Sequence, residues 1–325
     1  MLGAAKIADR SSVPALSSTA GIEVAGVAAR DFERAESFAA RHGIDAYPTY
    51  ASLVADASID AVYIPLPVGL HARWAVAALE AGKHVLVEKS LAGNLQDCLR
   101  MIDTARDLGL VVLENFMCER HPQNEWLRDA LRAGDLGAVR HVSLSFGFPP
   151  FPPDDLRNSL LLEGGALNDA GAYCLDMAAF YLGMWPLAVT AQLDNLGGEV
   201  DQVGAAFLEY PGGTSVMASF GFGHDYRNEV RVWGQHGQID IDRCFSIPRD
   251  REPVVHLTRN TEVTRISLPA ADQFALQMRY FRDLILDPHT ANEANRRRSH
   301  AVVMDAVRRS SKSGERIELD PAEFS

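Results

Sequence analysis

Short apolar runs alternate with amphipathic stretches along the first third of the chain. The predicted strands are residues 22–28, 61–64, 84–87 and 111–113. The predicted helices are residues 33–42, 71–81 and 95–108. Strands that are apolar at successive positions are typical of a parallel sheet that helices cover on both faces. The pattern therefore predicts an α/β fold built from strand–helix–strand units.

In the second half, apolar and polar positions alternate, as they do in strands with one buried face. The predicted strands are residues 140–148, 189–193, 203–210, 214–222, 229–233 and 254–257. The predicted helices are residues 121–134, 170–182 and 272–286. Pro211-Gly212-Gly213 is typical of a hairpin turn, which favours antiparallel pairing. This half is predicted to be an α+β domain with a largely antiparallel, open sheet.

The length and charge of the chain narrow its class. Because 325 residues exceed what a single core usually supports, two domains are expected, at residues 1–118 and 119–325. Acidic residues outnumber basic ones, and the net charge of −12 disfavours nucleic acid and anionic membranes as partners. The negative net charge does not exclude a small phosphorylated ligand, because backbone dipoles and one or two cations can bind it locally.

The four cysteines are widely spaced and include no pair of the kind that binds metals. We therefore expect reduced packing residues and no metal site. The sequence has no apolar run of about 18 residues and no secretory signal pattern. These features favour a cytoplasmic protein.

The first residues fit the glycine-rich fingerprint that binds a dinucleotide pyrophosphate. Gly3, Ala5 and Ala8 take its three small positions, and Lys6 and Ile7 stand between the last two. Because only two residues precede Gly3, the first strand is expected to be truncated. A helix start rich in glycine and alanine is the alternative.

Arg30 lies just after the first predicted strand, about 20 residues after the fingerprint, where the ribose of the cofactor is usually recognised. An acidic residue there selects NAD, whereas a planar guanidinium suits the 2′-phosphate of NADP. The sequence therefore favours NADP(H) over NAD(H). The alternative is that Asp31 caps a helix and Arg30 is solvated.

Two predicted strands end in segments with candidate chemistry. One leads into a Pro-Leu-Pro turn at residues 65–67 and then His71, and the next leads into Glu88 and Lys89. Because ligands bind at the carboxyl ends of parallel strands, both segments are expected to border one crevice. Lys89 would there place an ammonium beside a reacting carbonyl. A surface ion pair is the alternative.

Several segments together carry a resemblance to one family. They are Leu2-Gly3-Ala4-Ala5-Lys6-Ile7-Ala8, Ile64-Pro65-Leu66-Pro67 with His71, Ala81-Gly82-Lys83-His84-Val85-Leu86-Val87-Glu88-Lys89, and Gly164-Gly165-Ala166-Leu167-Asn168-Asp169-Ala170-Gly171-Ala172-Tyr173. Over essentially its whole length, the chain resembles the glucose-fructose oxidoreductase / inositol dehydrogenase family of two-domain nicotinamide enzymes. The segment from Glu114 to Met117, and Tyr173 after Asp169, are most similar to the nucleotide-sugar 3-ketoreductases within it.

The resemblance implies a Rossmann domain and an NADP-dependent reduction of a keto group on a sugar nucleotide. It implies that Tyr173 and Lys89 flank the sugar carbonyl, with Tyr173 as proton donor. A phenol with a pKa of about 10 gives up its proton slowly unless a cation stabilises the phenolate. The expected cofactor site comprises Gly3, Ala5, Lys6, Ile7, Arg30, Pro65, Leu66, Pro67, His71 and Glu88. The expected substrate site comprises Asn115, Arg157, Asp169 and Asp176.

Asp169, Tyr173 and Asp176 recur at the spacing of one helical face. On an otherwise apolar helix, this face is expected to line a solvent-filled pocket, and a solvated outer face is the alternative. Arg157 follows a proline-rich loop, where it is either a ligand of the substrate diphosphate or an isolated surface residue.

Two positions depart from the family pattern. Ser90 stands where a proline, usually in the cis form, follows the Glu-Lys pair. A cis bond costs about 3 kcal/mol before serine and under about 1 kcal/mol before proline, so serine disfavours the cis form and the sequence leaves the geometry of the Lys89–Ser90 bond open. Val68 replaces a polar residue and removes one contact to the cofactor.

Two other functions stay open: a dehydrogenase of free polyols, aldoses or dihydrodiols, and a catalytically inactive dinucleotide-binding regulator. Arg296-Arg297-Arg298 is interpreted as a solvated helix face, because the chain is acidic. If helices cover only one face of the C-terminal sheet, the other face exposes apolar side chains. That arrangement predicts a homodimer or homotetramer through the sheet.

Overall fold

A computed structural model describes residues 1–287 and 292–324 and divides the chain into two compact units. The first unit comprises Met1–Phe116 and Phe274–Arg298, and the second comprises Met117–Gln273 and Ser299–Ser325. The sequence interpretation assigned every residue after 118 to the second domain. The return of residues 274–298 follows from packing, since Met278, Phe281 and Leu284 belong to the core of the first unit.

The elements follow the predicted alternation closely. The helices are α1 (Val13–Ser18), α2 (Phe32–His42), α3 (Tyr50–Ala55), α4 (His71–Glu80), α5 (Leu95–Asp107), α6 (Pro122–Arg132), α7 (Ala172–Leu182), α8 (Gln273–Leu286) and α9 (Asn292–Ser313). The strands are β1 (Gly26–Ala28), β2 (Asp45–Tyr47), β3 (Ala61–Ile64), β4 (His84–Val87), β5 (Val112–Glu114), β6 (Val139–Phe148), β7 (Ala188–Asp194), β8 (Val203–Glu209), β9 (Ser215–Phe222), β10 (Arg227–Gly234), β11 (Gly237–Asp242), β12 (Val254–Arg259), β13 (Glu262–Ser267) and β14 (Ile317–Glu318). Single helical turns of 3-10 or π type occur at Ala8–Ser12, Val68–Leu70, Met117–Arg120, Leu156–Asn158, Leu167–Gly171, Pro211–Gly213 and Pro321–Phe324.

The first unit is built on parallel strands, as predicted. β1 pairs with β2, and β4 lies between β3 and β5. Leu2 connects the two groups, because it forms a parallel bridge with Ala28 and donates its amide to the carbonyl of Tyr63 at 2.8 Å. The first residues of the chain therefore lie between β1 and β3, directly before the fingerprint.

The second unit carries one sheet of strands in the order β13-β12-β11-β10-β6-β9-β8-β7-β14. β6 and β9 are paired in parallel, and the other pairs are antiparallel. Pro211–Gly213 joins β8 to β9 as predicted, with Glu209 opposite Ser215. The largely antiparallel sheet is thus confirmed. α7 packs on β6 and β9, which buries almost every residue of that helix.

In residues 1–287 and 292–324, no helix is long and apolar enough to cross a membrane.

Candidate active site

The fingerprint turn in the first unit depends on glycine at position 3. Gly3 has a φ of +114°, and a Cβ there would lie 3.0 Å from Cδ2 of Leu66 and 3.4 Å from the carbonyl oxygen of Pro65. Its amide donates to the carbonyl of Ala28 at 2.8 Å. The structure therefore brings together the fingerprint and the Pro-Leu-Pro turn, which the sequence assigned to one cofactor site.

A pocket of about 280 Å³ opens beside this turn. It is lined by Ala4, Ala5, Lys6, Asp9, Arg34, Ser37 and Arg41. Arg34 donates to the carbonyl of Ala4 at 2.9 Å, so its guanidinium lies against the fingerprint itself. Asp9 is paired with His42 at 2.7 Å and with Arg41 at 3.4 Å. The pocket therefore carries a net positive charge, and its side chains fit a phosphate group.

Arg30, the residue expected to bind the 2′-phosphate, lies at the surface just before α2. It is 84% exposed and pairs with Asp31 at 3.5 Å. Asp31 occupies the N-cap position of α2, although its side chain makes no capping bond. Sequence reasoning missed Arg34, which follows Arg30 by four residues and lies in the first turn of α2.

His71 begins α4 and is completely buried. Its Nδ1 lies 2.9 Å from the carbonyl oxygen of Ser90, and its Nε2 lies 2.7 Å from that of Leu66. Both ring nitrogens are thus engaged by backbone inside the first unit. The sequence predicted that His71 contacts the cofactor. Its observed contacts are with the loops that carry Leu66 and Ser90.

Glu88 follows β4 and receives hydrogen bonds from two side chains. The hydroxyl of Tyr63 donates to its Oε1 at 2.5 Å, and Nδ2 of Asn115 donates to the same oxygen at 2.7 Å. Burial raises the pKa of Glu88, and these two donors act in the opposite direction. Glu88 and Asn115 were assigned to the cofactor and to the substrate respectively, and the structure places them in direct contact.

The Lys89–Ser90 peptide bond is cis, the form that the sequence disfavoured but left open. Contacts on the far side of this bond hold the chain on its path. The Ser90 carbonyl faces His71, and the amide of Leu91 donates to Oε1 of Glu114 at 2.7 Å.

Glu114 belongs to a buried ionic cluster that the sequence did not predict. Nη1 of Arg297 lies 3.7 Å from Oε2 of Glu114, and its Nε lies 2.8 Å from Oε1 of Glu293. Arg297 is 2% exposed, and its guanidinium stands 5.0 Å above the ring of Phe116. The interpretation of this arginine as a solvated residue is therefore wrong, because α9 turns it into the core of the first unit.

Tyr173 lies in the second unit, near the start of α7. Its ring packs between those of Phe146 and Phe245, at centroid distances of 5.3 and 5.8 Å. Its hydroxyl donates to Sδ of Met117 at 3.6 Å. Only 6% of the residue is exposed, and the contacts described above are with two aromatic rings and a thioether.

The expectation of one solvent-facing stripe through Tyr173 is wrong for Asp176, which is completely buried. Asp169 lies in the π-helical turn before α7, so the spacing of a regular helix does not apply to it. Its Oδ2 accepts from Nε of Arg157 at 2.7 Å. The π turn and the burial of α7 on all sides explain why the simple helical spacing failed.

Arg157 is held by two carboxylates, Asp169 and Asp155, at 2.7 and 3.1 Å. Its guanidinium lies 4.5 Å above the ring of Phe151. A Cβ on Gly164 would lie 2.3 Å from the carbonyl oxygen of Arg157, so the glycine allows the close approach of this loop. Arg157 is therefore an anchored residue and not an isolated one.

The four cysteines are buried and form no disulfide bond. In the part of the chain that the structure describes, no group of three or more His, Cys, Asp or Glu side chains could hold a metal ion.

Comparison with known proteins covers both units. Residues 1–116 match the GFO/IDH/MocA family, an oxidoreductase family with an NAD-binding Rossmann fold. Residues 125–240 match the model of the GFO/IDH/MocA C-terminal domain.

Similar individual proteins cover nearly the whole chain. It is 40% identical to dTDP-3,4-didehydro-2,6-dideoxy-alpha-D-glucose 3-reductase of Saccharopolyspora spinosa over 275 residues. The aligned residues cover 84% of this chain and 82% of that protein. It is 33% identical over 325 residues to D-xylose 1-dehydrogenase (NADP(+)) 2 of Haloferax volcanii, with 98% and 99% covered. A crystal structure of a 3-ketoreductase from Actinomadura kijaniata with NADP and TDP-benzene has a TM-score of 0.90, 35% identity and coverage of 95% and 96%.

Proposed function

Because this chain belongs to the glucose-fructose oxidoreductase / inositol dehydrogenase family, we propose that it reduces the 3-keto group of a deoxysugar nucleotide with NADPH. The observation that carries the proposal is the 40% identity to the dTDP-sugar 3-reductase of Saccharopolyspora spinosa over most of both chains. Bound NADPH supplies the hydride to the carbonyl carbon, and the protein supplies a proton to the oxygen. The product is the alcohol, with NADP⁺ released.

The cofactor is proposed to lie against the fingerprint of the first unit. Gly3 and Ala5 allow the backbone to approach the pyrophosphate, and the Pro-Leu-Pro turn covers it. Arg30 and Arg34 are proposed to bind the 2′-phosphate, with Lys6 adding positive charge. The net positive pocket beside the turn supports NADP(H) over NAD(H), as does the 3-ketoreductase of Actinomadura kijaniata crystallised with NADP.

Tyr173 is proposed as the proton donor, and Lys89 as the cation that favours the proton transfer. An apolar environment disfavours a phenolate, so a phenol between aromatic rings needs a positive charge to release its proton. The Actinomadura kijaniata enzyme has been crystallised with one lysine changed to alanine or glutamate and with one tyrosine changed to phenylalanine. Those two residues are as far apart along that chain as Lys89 and Tyr173 are here, which supports the assignment.

The substitutions Tyr173→Phe and Lys89→Ala test these roles. Each is expected to lower kcat by about 100- to 10,000-fold, because a positioned proton donor or its activating charge is lost. NADPH oxidation is followed at saturating dTDP-3-keto-sugar, and NADPH binding is measured by fluorescence titration, which should stay within about twofold.

Tyr181→Phe is the matched control, since Tyr181 lies on the same helix and donates to Asn124 at 2.8 Å. Its kcat is expected to stay near that of the wild type. Unchanged turnover of Tyr173→Phe would exclude the donor role.

A dehydrogenase of free sugars is the second candidate, because the D-xylose dehydrogenase relative matches 98% of the chain. A nucleoside diphosphate distinguishes the two functions. If the substrate is a sugar nucleotide, dTDP at saturating concentration is expected to raise Tm, since a ligand stabilises the state that binds it. An unchanged Tm with dTDP, together with oxidation of free aldoses, would favour the second candidate. Absence of turnover with either class would favour the regulator.

A homodimer or homotetramer is proposed to form through the sheet of the second unit. Phe207 and Met217 are paired neighbours on β8 and β9 and are both 37% exposed, and Trp233 on β10 is 63% exposed. Exposed apolar residues on one sheet are typical of a contact surface. A cytoplasmic location is also proposed, which the four cysteines without a disulfide bond support.

A further inference from the structure

Arg243 directly follows β11 in the second unit, and its guanidinium stacks on an aromatic ring. Its Cζ lies 4.4 Å from the centroid of the Tyr226 ring. Both side chains are half-buried, so part of the stacked pair is open to solvent. Among the residues that the structure describes, no carboxylate pairs with this guanidinium. The second unit therefore presents a stacked cation whose charge no acidic side chain compensates.

Arg157, the sequence candidate for the substrate diphosphate, differs from Arg243 in this respect. Asp155 and Asp169 hold its guanidinium at 3.1 and 2.7 Å, so its charge is compensated before any ligand binds. An arginine without such partners keeps its N–H donors for an anion, and its planar fork fits phosphate oxygens. Arg243 therefore suits a diphosphate better than Arg157 does.

The backbone of Arg243 is held in an uncommon conformation. Its φ is +60°, in the left-handed region that residues other than glycine rarely adopt. Its amide donates to the carbonyl of Asn228 at 2.5 Å, and its carbonyl accepts from Nε2 of Gln123 at 3.4 Å. Such conformations persist where the surroundings hold them, and they are frequent at ligand sites.

Asn228 fixes Tyr226 and the segment that carries Arg243. It is 5% exposed, its Nδ2 donates to the Tyr226 hydroxyl at 3.0 Å, and its Oδ1 accepts from the Phe245 amide at 2.9 Å. Because the Tyr226 hydroxyl accepts here, its own proton is left to donate to a ligand. Groups that are already in place lose less entropy on binding, which favours affinity.

The stacked pair lies close to the proposed proton donor within the second unit. Phe245 stands two residues after Arg243, and its ring lies 5.8 Å from that of Tyr173. The ring of Phe146 lies against both, at 4.8 Å from Phe245 and 5.3 Å from Tyr173. In a sugar nucleotide the diphosphate is attached at C1, on the same ring as the C3 keto group. Such a substrate needs an anion site near its proton donor.

We propose that Arg243 and Tyr226 form the subsite that binds the diphosphate of the sugar nucleotide. The guanidinium pairs with the phosphate oxygens, and the Tyr226 hydroxyl donates to one of them. The subsite rests on the proposed function, because a dehydrogenase of free sugars has no diphosphate to bind.

Titration calorimetry with dTDP tests the subsite by its affinity. Arg243→Met is expected to raise the Kd for dTDP about 10- to 100-fold, as the loss of hydrogen bonds to a charged group does. Arg243→Lys keeps the charge but loses the fork, so its Kd should lie between those of Arg243→Met and the wild type. Tyr226→Phe keeps the ring under the guanidinium and removes only the hydroxyl, with an expected rise of about fivefold.

Steady-state kinetics separates this binding role from general damage. Arg243→Met is expected to raise KM for the dTDP-3-keto-sugar, with kcat at saturation within about threefold of the wild type, because the diphosphate is bound equally before and during the reaction. The Kd for NADPH should be unchanged. A loss of kcat in Arg243→Met with an unchanged Kd for dTDP would overturn the proposal.

Arg227→Met is the matched control, since it removes the same charge one residue from Tyr226. Arg227 begins β10, where alternation turns it to the other face of the sheet, and it is 63% exposed and lies 3.6 Å from Glu229. Its Kd for dTDP is expected to stay within about twofold of the wild type. Equal losses in Arg227→Met and Arg243→Met would indicate a general effect of charge and overturn the subsite.

The Tm of each variant without ligand shows whether it folds. If Arg243→Met does not fold, Arg243→Lys and Tyr226→Phe decide the question, and unchanged dTDP affinity in both would overturn the subsite. A wild-type protein that binds dTDP, with Arg243→Met binding it equally well, would reject the subsite and leave the proposed function standing. A wild-type protein that does not bind dTDP would reject both.

Discussion

At the scale of single residues, burial decides the chemistry of several polar side chains. His121 is completely buried at the N-cap of α6, where its Nδ1 accepts from the amide of Gln123 at 3.1 Å. Burial lowers its pKa to about 4, from the ordinary value of 6.5. A buried neutral histidine therefore binds a proton less readily in the folded state than in the unfolded state, where its pKa is ordinary.

His121 is therefore expected to make stability depend on pH. Its folded pKa lies below its unfolded pKa, so its contribution is complete above about pH 6.5 and is lost as the pH falls toward 4. In His121→Asn, an oxygen still accepts at the N-cap, but nothing titrates in this range. Urea unfolding at pH 7 and pH 4.5 should show a smaller loss of unfolding free energy for the variant than for the wild type. Equal losses would contradict the assignment.

At the scale of elements, strong periodicity was enough to locate helices and strands. α2, α4 and α5 lie within about two residues of the predicted helices, the usual uncertainty of helix ends. β13 was missed because it is polar and almost wholly exposed, and it carries no apolar alternation. β1 is shorter than predicted, since only its last residues pair with β2.

The arginine run of α9 shows what periodicity in charge does not reveal. Arg297 and Arg298 are neighbours in sequence, yet the first is buried with Glu114 and Glu293 and the second is 27% exposed beside Asp103. Which of them enters the core depends on how the helix packs, which no local pattern records.

Arg297→Met and Arg298→Met form a matched pair for this cluster. Arg297→Met is expected to lower the free energy of unfolding by about 3–5 kcal/mol, because it leaves buried carboxylates without their cation. Arg298→Met is expected to cost no more than about 1 kcal/mol, as for exposed ion pairs. Chemical denaturation of both variants measures the difference, and similar losses would contradict the role of burial.

At the scale of the whole molecule, the chain leaves its first unit and returns to it. Residues 274–298 join the core of the first unit, and α9 then continues into the second. The second unit presents apolar side chains on its sheet, and α7 packs on two strands of that sheet, β6 and β9. The proposed assembly is the consequence of that surface.

Replacing the paired residues by lysine, in the double variant Phe207→Lys and Met217→Lys, is expected to convert the assembly to monomers. Two charges in an apolar contact surface would have to be desolvated on association. Sedimentation velocity at micromolar concentration measures the state. Leu108→Lys, at an exposed position of the first unit, is the control and should assemble as the wild type does. A monomeric wild-type protein would reject the proposed assembly.

Much of the candidate site could be read from local signals. The fingerprint, the Pro-Leu-Pro turn and the Glu-Lys pair each stand at a strand end, and parallel topology brings strand ends to one edge. Arg34 was missed, although its spacing from Arg30 was visible, because nothing local showed that it contacts Ala4. The contacts of His71 and of Arg157 were likewise hidden, since their partners lie in other loops.

Local order along the chain was sufficient to establish the alternation of strands and helices, the change from parallel to antiparallel sheet, and the segments that carry chemistry. These follow from backbone hydrogen bonding and from side-chain period, which act over a few residues. Only the tertiary structure decided which polar groups are buried and which partners they have. Arg297 is buried beside Glu114, Asp176 is buried on α7, and His71 is buried between two carbonyls. Desolvation and pairing depend on atoms far apart in the chain, so they arise only when the packed structure brings those atoms together.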